Sequence, residues 1–399
     1  MISIEDALRH ITDVARRLPP TRTPLNDAAG LVLAEDAAAT ADSPPFTKAM
    51  MDGFAVRTAD LSNPTVALPV RGEVAAAPGT PPSIEPQTAV RIMTGGPVPG
   101  GADAVIPVEV ATEADGNVRF EMTPRVGQNV LRRGSIGRAG EPVLPAGSLI
   151  TPRAAAALGE YGFAEVAAVP RPTVAFASTG DELVDVSQTP GPGQIRNSST
   201  PMLRHLIESW HCDPVPLGVA LDTTESLDDI IRRGLEADVL LLTGGVSAGN
   251  YDLVPDRLAA AGVRPVFHKV AIKPGKPIWF GVVKTGERRT LVFGLPGNPV
   301  SSLVCAEVFV RSAVDVLAGR PPHDPQVDVA LAAPIPQKGD RTTYWPATLS
   351  ADGQAATPAD WRGSADLLHL ATADGWLVLP PGDATYKAGH RLPFHRPAL

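Results

Sequence analysis

The spacing of apolar side chains predicts a helix at the start of the chain. Ile4, Leu8 and Ile11 recur at helical intervals, and Ser3 precedes them as a suitable N-cap. Two prolines follow at positions 19 and 20, where a helix cannot continue. We therefore expect an amphipathic helix over residues 1–18.

The pattern changes after these prolines. Up to about residue 150, short apolar stretches such as AVRIMTG (89–95) are interrupted by Pro and Gly, which is typical of a β-rich region with many turns. Helical spacing returns over 151–162, where Thr151 can cap a helix that has Pro152 at its first position. A second short helix is predicted there.

From residue 172 onward, apolar strands alternate with amphipathic helices. TVAFAS (173–178) and ADVLLLT (237–243) are almost wholly apolar, which indicates strands covered on both faces. Connections of helical length between such strands predict a doubly wound, mostly parallel α/β sheet that closes with a helix near 299–318. The last ~75 residues carry strand patterns almost throughout and predict a small all-β domain.

Composition and charge limit the classes of function. The chain has 399 residues, 20% of them charged, and a net charge of −8, so nothing suggests a basic surface for nucleic acid. Two cysteines exclude a disulfide scaffold and a four-cysteine zinc site. The first residues lack the apolar core of a signal peptide, and no apolar run approaches the ~20 residues of a membrane span. We expect a soluble cytoplasmic protein without membrane partners.

Lysine is scarce and concentrated. Lys269, Lys273 and Lys276 fall within a stretch of eight residues, although the 35 basic residues include few other lysines. Lys273 and Lys276 flank Pro274-Gly275, so a stiff loop could present two ammonium groups to an oxyanion. The plain alternative is a solvated surface pair, and the scarcity of lysine elsewhere counts against it.

The turns that follow the predicted parallel strands share one edge of the sheet, where ligands of such folds bind. The turn after 237–243 carries Gly244-Gly245, which would let the backbone approach a phosphate near a helix start. It matches neither GxGxxG nor a Walker A sequence, so NAD and P-loop chemistry are not indicated. For the glycines alone, an ordinary tight turn is the alternative.

Acidic side chains gather at the same edge. Asp181, Glu182, Asp222 and Asp252 all follow predicted strands. Carboxylates beside a phosphate site are typical ligands of Mg²⁺, which bridges to phosphate oxygens. Singly, each could be a helix cap, and Asp222 is a cap only if Thr223 does not take that position. Together they favour a metal–phosphate site.

The assembled motifs resemble the molybdopterin molybdenumtransferases, the MoeA and gephyrin E-domain family. The resemblance covers nearly the whole chain in order. The matching segments are MDGFAV (51–56), RIMTGGPVPGGADAVIPVE (91–109), GQNVLRRG (127–134), STGDEL (178–183), LTGGVSAGNYD (242–252), AIKPGKP (271–277), GLPGNPVS (294–301), RTTYWPA (341–347) and GSADLLHLATADGWLVLPPG (363–382).

The resemblance implies a multidomain α/β fold with four parts. A discontinuous helical dimerisation domain would comprise 1–45 and 140–170, with a β-rich inserted domain at 46–139 between them. The α/β molybdopterin-binding domain would span 171–319, and a C-terminal β-barrel domain 320–399. Members of the family are homodimers whose active site lies between the α/β domain of one subunit and terminal regions of its partner.

The implied reaction inserts molybdenum from molybdate into adenylylated molybdopterin with release of AMP and a need for Mg²⁺. Carried over position by position, the catalytic residues would be Glu182, Asp222, Asp252, Asp52 and Thr94, of which Glu182, Asp222 and Asp252 would also bind the metal. The pterin-phosphate pocket would comprise Thr179, Gly180, Gly244, Gly245, Val246 and Ser247. The residues receiving molybdate would be Lys273, Lys276, Pro296, Ser301, Arg341 and Ser364. The implied protein partners are a molybdopterin adenylyltransferase and apo-molybdoenzymes.

Two departures from the family pattern keep alternatives open. Ser135 and Ile136 follow Gly134 where the family carries acids, and Asn197 stands in a segment that is usually acidic. These losses suit a catalytically weakened paralogue that binds molybdopterin or acts as a scaffold. A molybdopterin adenylyltransferase is a further alternative, because that enzyme shares the glycine turn and the α/β sheet, although its chains are usually single domains.

Overall fold

The computed structural model describes residues 1–62, 66–246, 253–321 and 326–397. The chain forms two compact units, which are described separately. One comprises Arg22–Ala29 and Leu33–Ala167, and the other comprises Met1–Thr21, Gly30–Val32 and Ala168–Leu399. The four-domain division remains a prediction.

The first predicted helix is present but shorter than expected. Helix α1 spans Ile4–Val14, the Ser3 hydroxyl accepts a hydrogen bond from the Asp6 amide, and Ile11 is fully buried. The prediction of a helix reaching residue 18 was wrong. Ala15 has extended backbone angles, and the Leu18 amide instead donates to the carbonyl of Leu317. A tertiary contact therefore ends the helix before the prolines do.

The region up to residue 169 is rich in short strands, as predicted. Its elements are β1 (Thr21–Pro24), β2 (Val32–Leu33), β3 (Ala37–Ala38), β4 (Lys48–Ala49), β5 (Gly53–Val56), β6 (Leu68–Val74), β7 (Ala89–Ile92), β8 (Ala104–Pro107), β9 (Ala111–Ala114), β10 (Asn117–Phe120), β11 (Val130–Leu131), β12 (Pro142–Leu144), α2 (Pro152–Glu160) and β13 (Glu165–Val169). Six of the strands form one sheet in the order β8-β5-β7-β6-β10-β9. Phe54 and Phe120 meet edge to face in its core. As predicted, Thr151 caps α2.

The α/β part carries alternating strands and helices. Its elements are β14 (Thr173–Thr179), β15 (Leu183–Val184), β16 (Ile195–Arg196), α3 (Ser199–Ser209), β17 (Asp213–Ala220), α4 (Thr224–Gly234), β18 (Val239–Thr243), α5 (Val254–Ala260), β19 (Arg264–His268), β20 (Ile272–Lys273), β21 (Trp279–Thr285), β22 (Arg288–Leu295), α6 (Pro299–Cys305) and α7 (Arg311–Leu317). The main sheet has the order β17-β14-β18-β22-β21-β19. The first four strands are parallel to one another, and β21 runs antiparallel to both of its neighbours, β22 and β19, which confirms a mostly parallel sheet.

The closing helix is interrupted. A single π-helical turn, Ala306–Val310, joins α6 to α7, and all five of its residues are buried. Cys305 and Cys212 are buried free thiols. Burial raises the pKa of the Cys212 thiol to about 11, so it stays protonated near neutral pH.

The C-terminal part is a small barrel. Its strands are β23 (Gln326–Leu331), β24 (Ile335–Gln337), β25 (Thr342–Leu349), β26 (Ala355–Pro358), β27 (Gly375–Leu379), β28 (Ala384–Tyr386) and β29 (Arg391–His395). The order β25-β26-β23-β29-β27 closes because β27 also pairs with β25. Strand β20 adds to β25, with Lys273 opposite Thr343, and so joins the α/β part to the barrel.

Candidate active site

Three neighbouring parallel strands end in register at one edge of the sheet, so the turns that follow them lie close together. Ser178 of β14 lies opposite Thr243 of β18, which lies opposite Leu295 of β22. The turns after these strands line a cleft of about 520 Å³, which we call the glycine cleft. Its described lining includes the predicted residues Thr179, Gly180, Glu182, Asp222, Gly244, Gly245, Val246 and Pro296.

The glycines determine the shape of the turns in this cleft. The amide of Gly244 donates to the Leu295 carbonyl at 3.0 Å, and the amide of Gly180 donates to the Ala220 carbonyl at 3.1 Å. These two amides are therefore already used within the fold. A Cβ on Gly244 would come within 2.6 Å of the Thr179 hydroxyl oxygen, and its φ is +95°. Gly244 is required for a tight turn and close packing, which keeps the cleft open.

Two predicted acids line the glycine cleft together. Glu182 and Asp222 are both exposed there. Asp222 is not the cap of α4, because the Thr223 hydroxyl accepts from the Ser226 amide at 3.3 Å. The backbone amide of Asp222 donates to the Asp181 carboxylate at 3.0 Å, which positions the turn.

The third predicted metal ligand lies in a part of the chain that the structure does not describe. Asp252 and Ser247 both fall outside the described residues. Among the residues that are described, no three His, Cys, Asp or Glu side chains group as a metal site. The acidic side chains that the structure describes at the glycine cleft are therefore Glu182 and Asp222.

A second cleft of about 470 Å³ gathers the scarce cations, and we call it the lysine cleft. Lys273, Lys276 and Arg341 line it, and none of its described lining residues is acidic. The Arg341 guanidinium donates to the Ile272 carbonyl at 3.2 Å, which holds it beside the lysine loop. The other predicted lining residues Pro296, Ser301 and Ser364 are present in the same cleft.

The buried Cys305 packs against the loop that carries Lys273 and Lys276. Its thiol contacts the Gly275 carbonyl at 3.5 Å, and a Cβ on Gly275 would lie 2.5 Å from its sulfur. The φ of Gly275 is +116°, which only glycine adopts without strain. The loop that carries both lysines is therefore shaped by packing on a buried thiol.

The two clefts adjoin, and Asn298 belongs to both. Pro277, Pro296 and Asn298 line the glycine cleft and the lysine cleft alike. The Asn298 side chain makes no capping bond to α6 and instead donates to the Ser364 hydroxyl at 3.0 Å. Asn298 therefore links the turn after β22 to a residue 66 positions away in the chain.

Two aromatic residues of the lysine cleft were not predicted from the sequence. Trp345 and Trp361 line it together with the three cations. No local pattern marks them, since Trp345 lies in an ordinary barrel strand and Trp361 in a connecting segment. The scarcity of lysine elsewhere in the chain points to the lysines. The tryptophans, in contrast, reach the cleft only because the barrel folds beside the lysine loop.

In the other compact unit, the structure brings Asp52 and Thr94 together. One carboxylate oxygen of Asp52 accepts from the Thr94 amide at 2.6 Å and from the Thr94 hydroxyl at 2.7 Å. These hydrogen bonds lower the pKa of Asp52 below its ordinary value. Both side chains are exposed, so an ionised carboxylate with a fixed orientation is presented at the surface.

Comparison with known families divides the chain into three matches. The MoeA N-terminal region (domain I and II) matches residues 2–162, a probable molybdopterin binding domain matches 175–316, and the MoeA C-terminal region (domain IV) matches 328–395. A molybdopterin molybdenumtransferase 2 from Mycobacterium tuberculosis is 35% identical over 98% of both chains. The chain belongs to the MoeA family of molybdopterin molybdenumtransferases.

Further similarities agree with MoeA membership. A molybdopterin molybdenumtransferase from Staphylococcus aureus is 32% identical over 98% of this chain and 94% of its own. Two crystal structures of the molybdopterin biosynthesis MoeA protein of Pyrococcus horikoshii have TM-scores of 0.83 and 0.80, with 27% identity and 99% of each chain covered. The MoeA family consists of transferases of molybdenum cofactor biosynthesis, so the predicted family, fold class and enzyme class are confirmed.

The described helices also bear on membrane association. Within residues 1–62, 66–246, 253–321 and 326–397, no helix has the length and apolar character that crossing a bilayer requires.

Proposed function

We propose that this chain inserts molybdenum from molybdate into adenylylated molybdopterin and releases AMP. Two Mo–S bonds form and two Mo–O bonds break without a change in oxidation state. The two thiol protons leave with one released oxygen as water, and the equivalent of the other oxygen is incorporated when the phosphoanhydride bond is hydrolysed to release AMP. The observation that carries the proposal is the pair of adjoining clefts, one cationic and one lined by glycine, hydroxyl and carboxylate groups.

The lysine cleft suits molybdate. A tetraoxo dianion is held best by charge-assisted hydrogen bonds, and Lys273, Lys276 and Arg341 supply cationic donors at one place in an acidic protein. Ser301 and Ser364 add hydroxyl groups to the same lining. No described lining residue is acidic, although Asp340, outside the lining, lies 3.9 Å from the Arg341 guanidinium.

The glycine cleft suits the phosphates of the second substrate. Thr179, Gly244 and Gly245 leave space for a bulky anion at the carboxyl ends of the parallel strands. Mg²⁺ is usually held by one or two carboxylates plus substrate phosphates, so Glu182 and Asp222 are a sufficient protein donor set. When bound, the ion would neutralise phosphate charge as AMP leaves. Asp252 remains a proposed third ligand.

We assign Asp52 and Thr94 to a homodimeric active site. Exposed apolar side chains precede Asp52 in the chain, with Met50 at 55% and Phe46 at 44% exposure, which favours a contact surface in this segment. A homodimer in which this surface meets the partner's clefts would make each site from two chains. Cytoplasmic location, supply of substrate by a molybdopterin adenylyltransferase and delivery to apo-molybdoenzymes belong to the same proposal.

Mixing two inactive variants tests the shared site. Asp52→Ala and Lys276→Ala should each abolish insertion, whereas their mixed dimer should regain one intact site and roughly half the activity per dimer, since two sites act independently. Absence of recovery in a mixed dimer of verified composition would show that Asp52 and Lys276 act on the same chain.

The experiment that tests the function is direct. Purified protein is incubated with adenylylated molybdopterin, molybdate and Mg²⁺, and AMP and molybdenum cofactor are measured. Stoichiometric formation of both supports the proposal, with Lys276→Ala as the inactive control. Tight molybdopterin binding without turnover would identify the weakened paralogue suggested by Ser135 and Ile136, which Ser135→Glu should then reactivate. Release of pyrophosphate from ATP and molybdopterin would instead identify an adenylyltransferase.

A further inference from the structure

The lysine cleft has aromatic as well as cationic lining. Trp345 of β25 and Trp361, which follows β26, lie edge to face with ring centroids 5.3 Å apart and planes at 81°. Both rings line the cleft that holds Lys273, Lys276 and Arg341. The two tryptophans therefore form one continuous aromatic wall of a cationic cavity.

The two indole N–H groups of this wall differ. Trp345 Nε1 donates to the Ala359 carbonyl at 3.0 Å. Trp361 Nε1 is buried and has no hydrogen-bond partner within the described part of the chain. A buried donor without a partner is destabilising, and tryptophan N–H groups usually find a partner when buried. Because the Trp361 nitrogen is buried, the ring rather than its N–H group contributes to the lining of the cleft.

Molybdate alone does not explain the aromatic wall. A small, strongly hydrated tetraoxo dianion is bound by ammonium, guanidinium and hydroxyl groups, and it gains little from two indole faces. A planar nitrogen heterocycle has the opposite character, because it stacks on aromatic faces and offers ring acceptors to a donor. The cleft thus combines groups for an oxyanion with groups for a heterocycle.

The covalent structure of the proposed substrate decides which heterocycle reaches this cleft. Adenylylated molybdopterin contains a pterin and an adenine. The dithiolene that receives molybdenum is carried on the ring system fused to the pterin, whereas the adenine lies beyond the phosphates. If the lysine cleft holds molybdate and the glycine cleft holds phosphates, the ring beside the molybdate must be the pterin.

We propose that Trp345 and Trp361 form a pterin-binding wall on which the pterin ring stacks. This inference rests on the proposed function, because that function supplies the substrate whose ring is bound. Trp361 acts here as a substrate-binding and specificity-determining residue, and the lysines act on the oxyanion next to it.

Binding of 6-hydroxymethylpterin, which has no phosphate or carboxylate, tests the wall without the cations. We expect saturable binding to the full chain by fluorescence quenching. Trp361→Leu should weaken it about five- to 100-fold, the range for loss of one aromatic stacking partner. Trp361→Phe keeps a stacking face, so its binding should be weakened less than that of Trp361→Leu. The matched control is Leu368→Ala, since Leu368 lies in the same segment, is 80% exposed and does not line the cleft.

The outcomes are separable from those of the proposed function. Absence of pterin binding to the wild type, or equal binding by Trp361→Leu with native stability, overturns the wall. In the full reaction, Trp361→Leu should raise KM for adenylylated molybdopterin and leave KM for molybdate unchanged. An equal rise in both overturns the assignment to the pterin. If the wild type inserts no molybdenum yet shows Trp361-dependent pterin binding, only the proposed function fails.

Discussion

The Asn298 side chain donates a hydrogen bond to the Ser364 hydroxyl across 3.0 Å, and the Val300 amide donates to the Ser364 carbonyl at 3.1 Å. These bonds tie the turn after β22 to a loop of the barrel. Because Asn298 lines both clefts, the bond lies where the two proposed substrates would meet.

Removing this bond should affect catalysis more than stability. We expect Asn298→Ala and Ser364→Ala each to lower kcat/KM about two- to tenfold, the effect of one hydrogen bond, because the partners are exposed and the fold does not depend on them. Kinetics of both variants and of the double variant give the check. If the residues act through their mutual bond, the double variant matches the single ones; additive losses would show independent roles.

Gly275→Ala should distort the lysine loop. The new methyl group would meet Cys305 Sγ at 2.5 Å and would impose strain at a φ of +116°. We expect a loss of about 1–3 kcal/mol in the free energy of unfolding, with a raised KM for molybdate, measured by denaturant unfolding and kinetics. Gly286→Ala is the matched control, because Gly286 also has positive φ but nothing within 4 Å of the added atom. Equal molybdate KM in the two variants would contradict a role for loop shape.

The Asp52–Thr94 bond should make stability depend on pH. The lowered pKa of Asp52 means that its ionised form is favoured in the folded state, so this contribution is present above pH 3.8 and is lost as pH falls through the lower folded pKa. Thr94→Val removes the hydroxyl donor and keeps the amide. We expect the difference in Tm between wild type and variant to be larger at pH 7 than at pH 3. The exposed Thr112, changed to Val, is the control and should show no such dependence.

Glu307 should have the opposite pH dependence. Burial raises its pKa from 4.5 to about 8, although the Trp376 indole donates a hydrogen bond to it. The folded state therefore holds a proton that the unfolded state has lost, and stability should fall as pH rises from 4.5 to about 8. Glu307 lines a cavity of about 650 Å³. The other titratable groups that line this cavity are Glu5, Arg9, Arg311, Tyr344 and His395.

Glu307→Gln tests this assignment. The glutamine can still accept from Trp376 but does not ionise, so the variant should gain stability relative to wild type at pH 8.5, on the order of a few kcal/mol, and gain little at pH 4.5. Unfolding at several pH values measures the difference. The exposed Glu287, changed to Gln, is the control. If the stability difference between Glu307→Gln and wild type does not change with pH, Glu307 is ionised in the folded protein and the assignment is wrong.

Most of the elements could be predicted because their signals are local. Apolar spacing and caps located α1 and α2, and the apolar stretches 173–178 and 237–243 became β14 and β18. The C-terminal end of α1 was misplaced because the Leu18 amide bonds to Leu317, a partner that no local pattern specifies.

The candidate site was predictable in its charges but not in its contacts. Scarce lysines and acids after strands indicated Lys273, Lys276, Glu182 and Asp222, and the structure places these in two adjoining clefts. The Gly244-Gly245 turn suggested a phosphate site, and the structure adds that the Gly244 amide is already paired with the Leu295 carbonyl. Hydrogen-bond pairing is decided by neighbouring strands and cannot be read from glycine alone.

By itself, the sequence determined the family, the mostly parallel sheet and the concentration of cations in one loop, since these follow from residue order and spacing. Only the tertiary structure decided that Asn298 bonds Ser364, that Cys305 supports Gly275 and that two tryptophans share a cleft with the lysines. The physical reason is distance along the chain. Closure of the barrel and addition of β20 to β25 bring together groups that carry no sign of one another in the sequence.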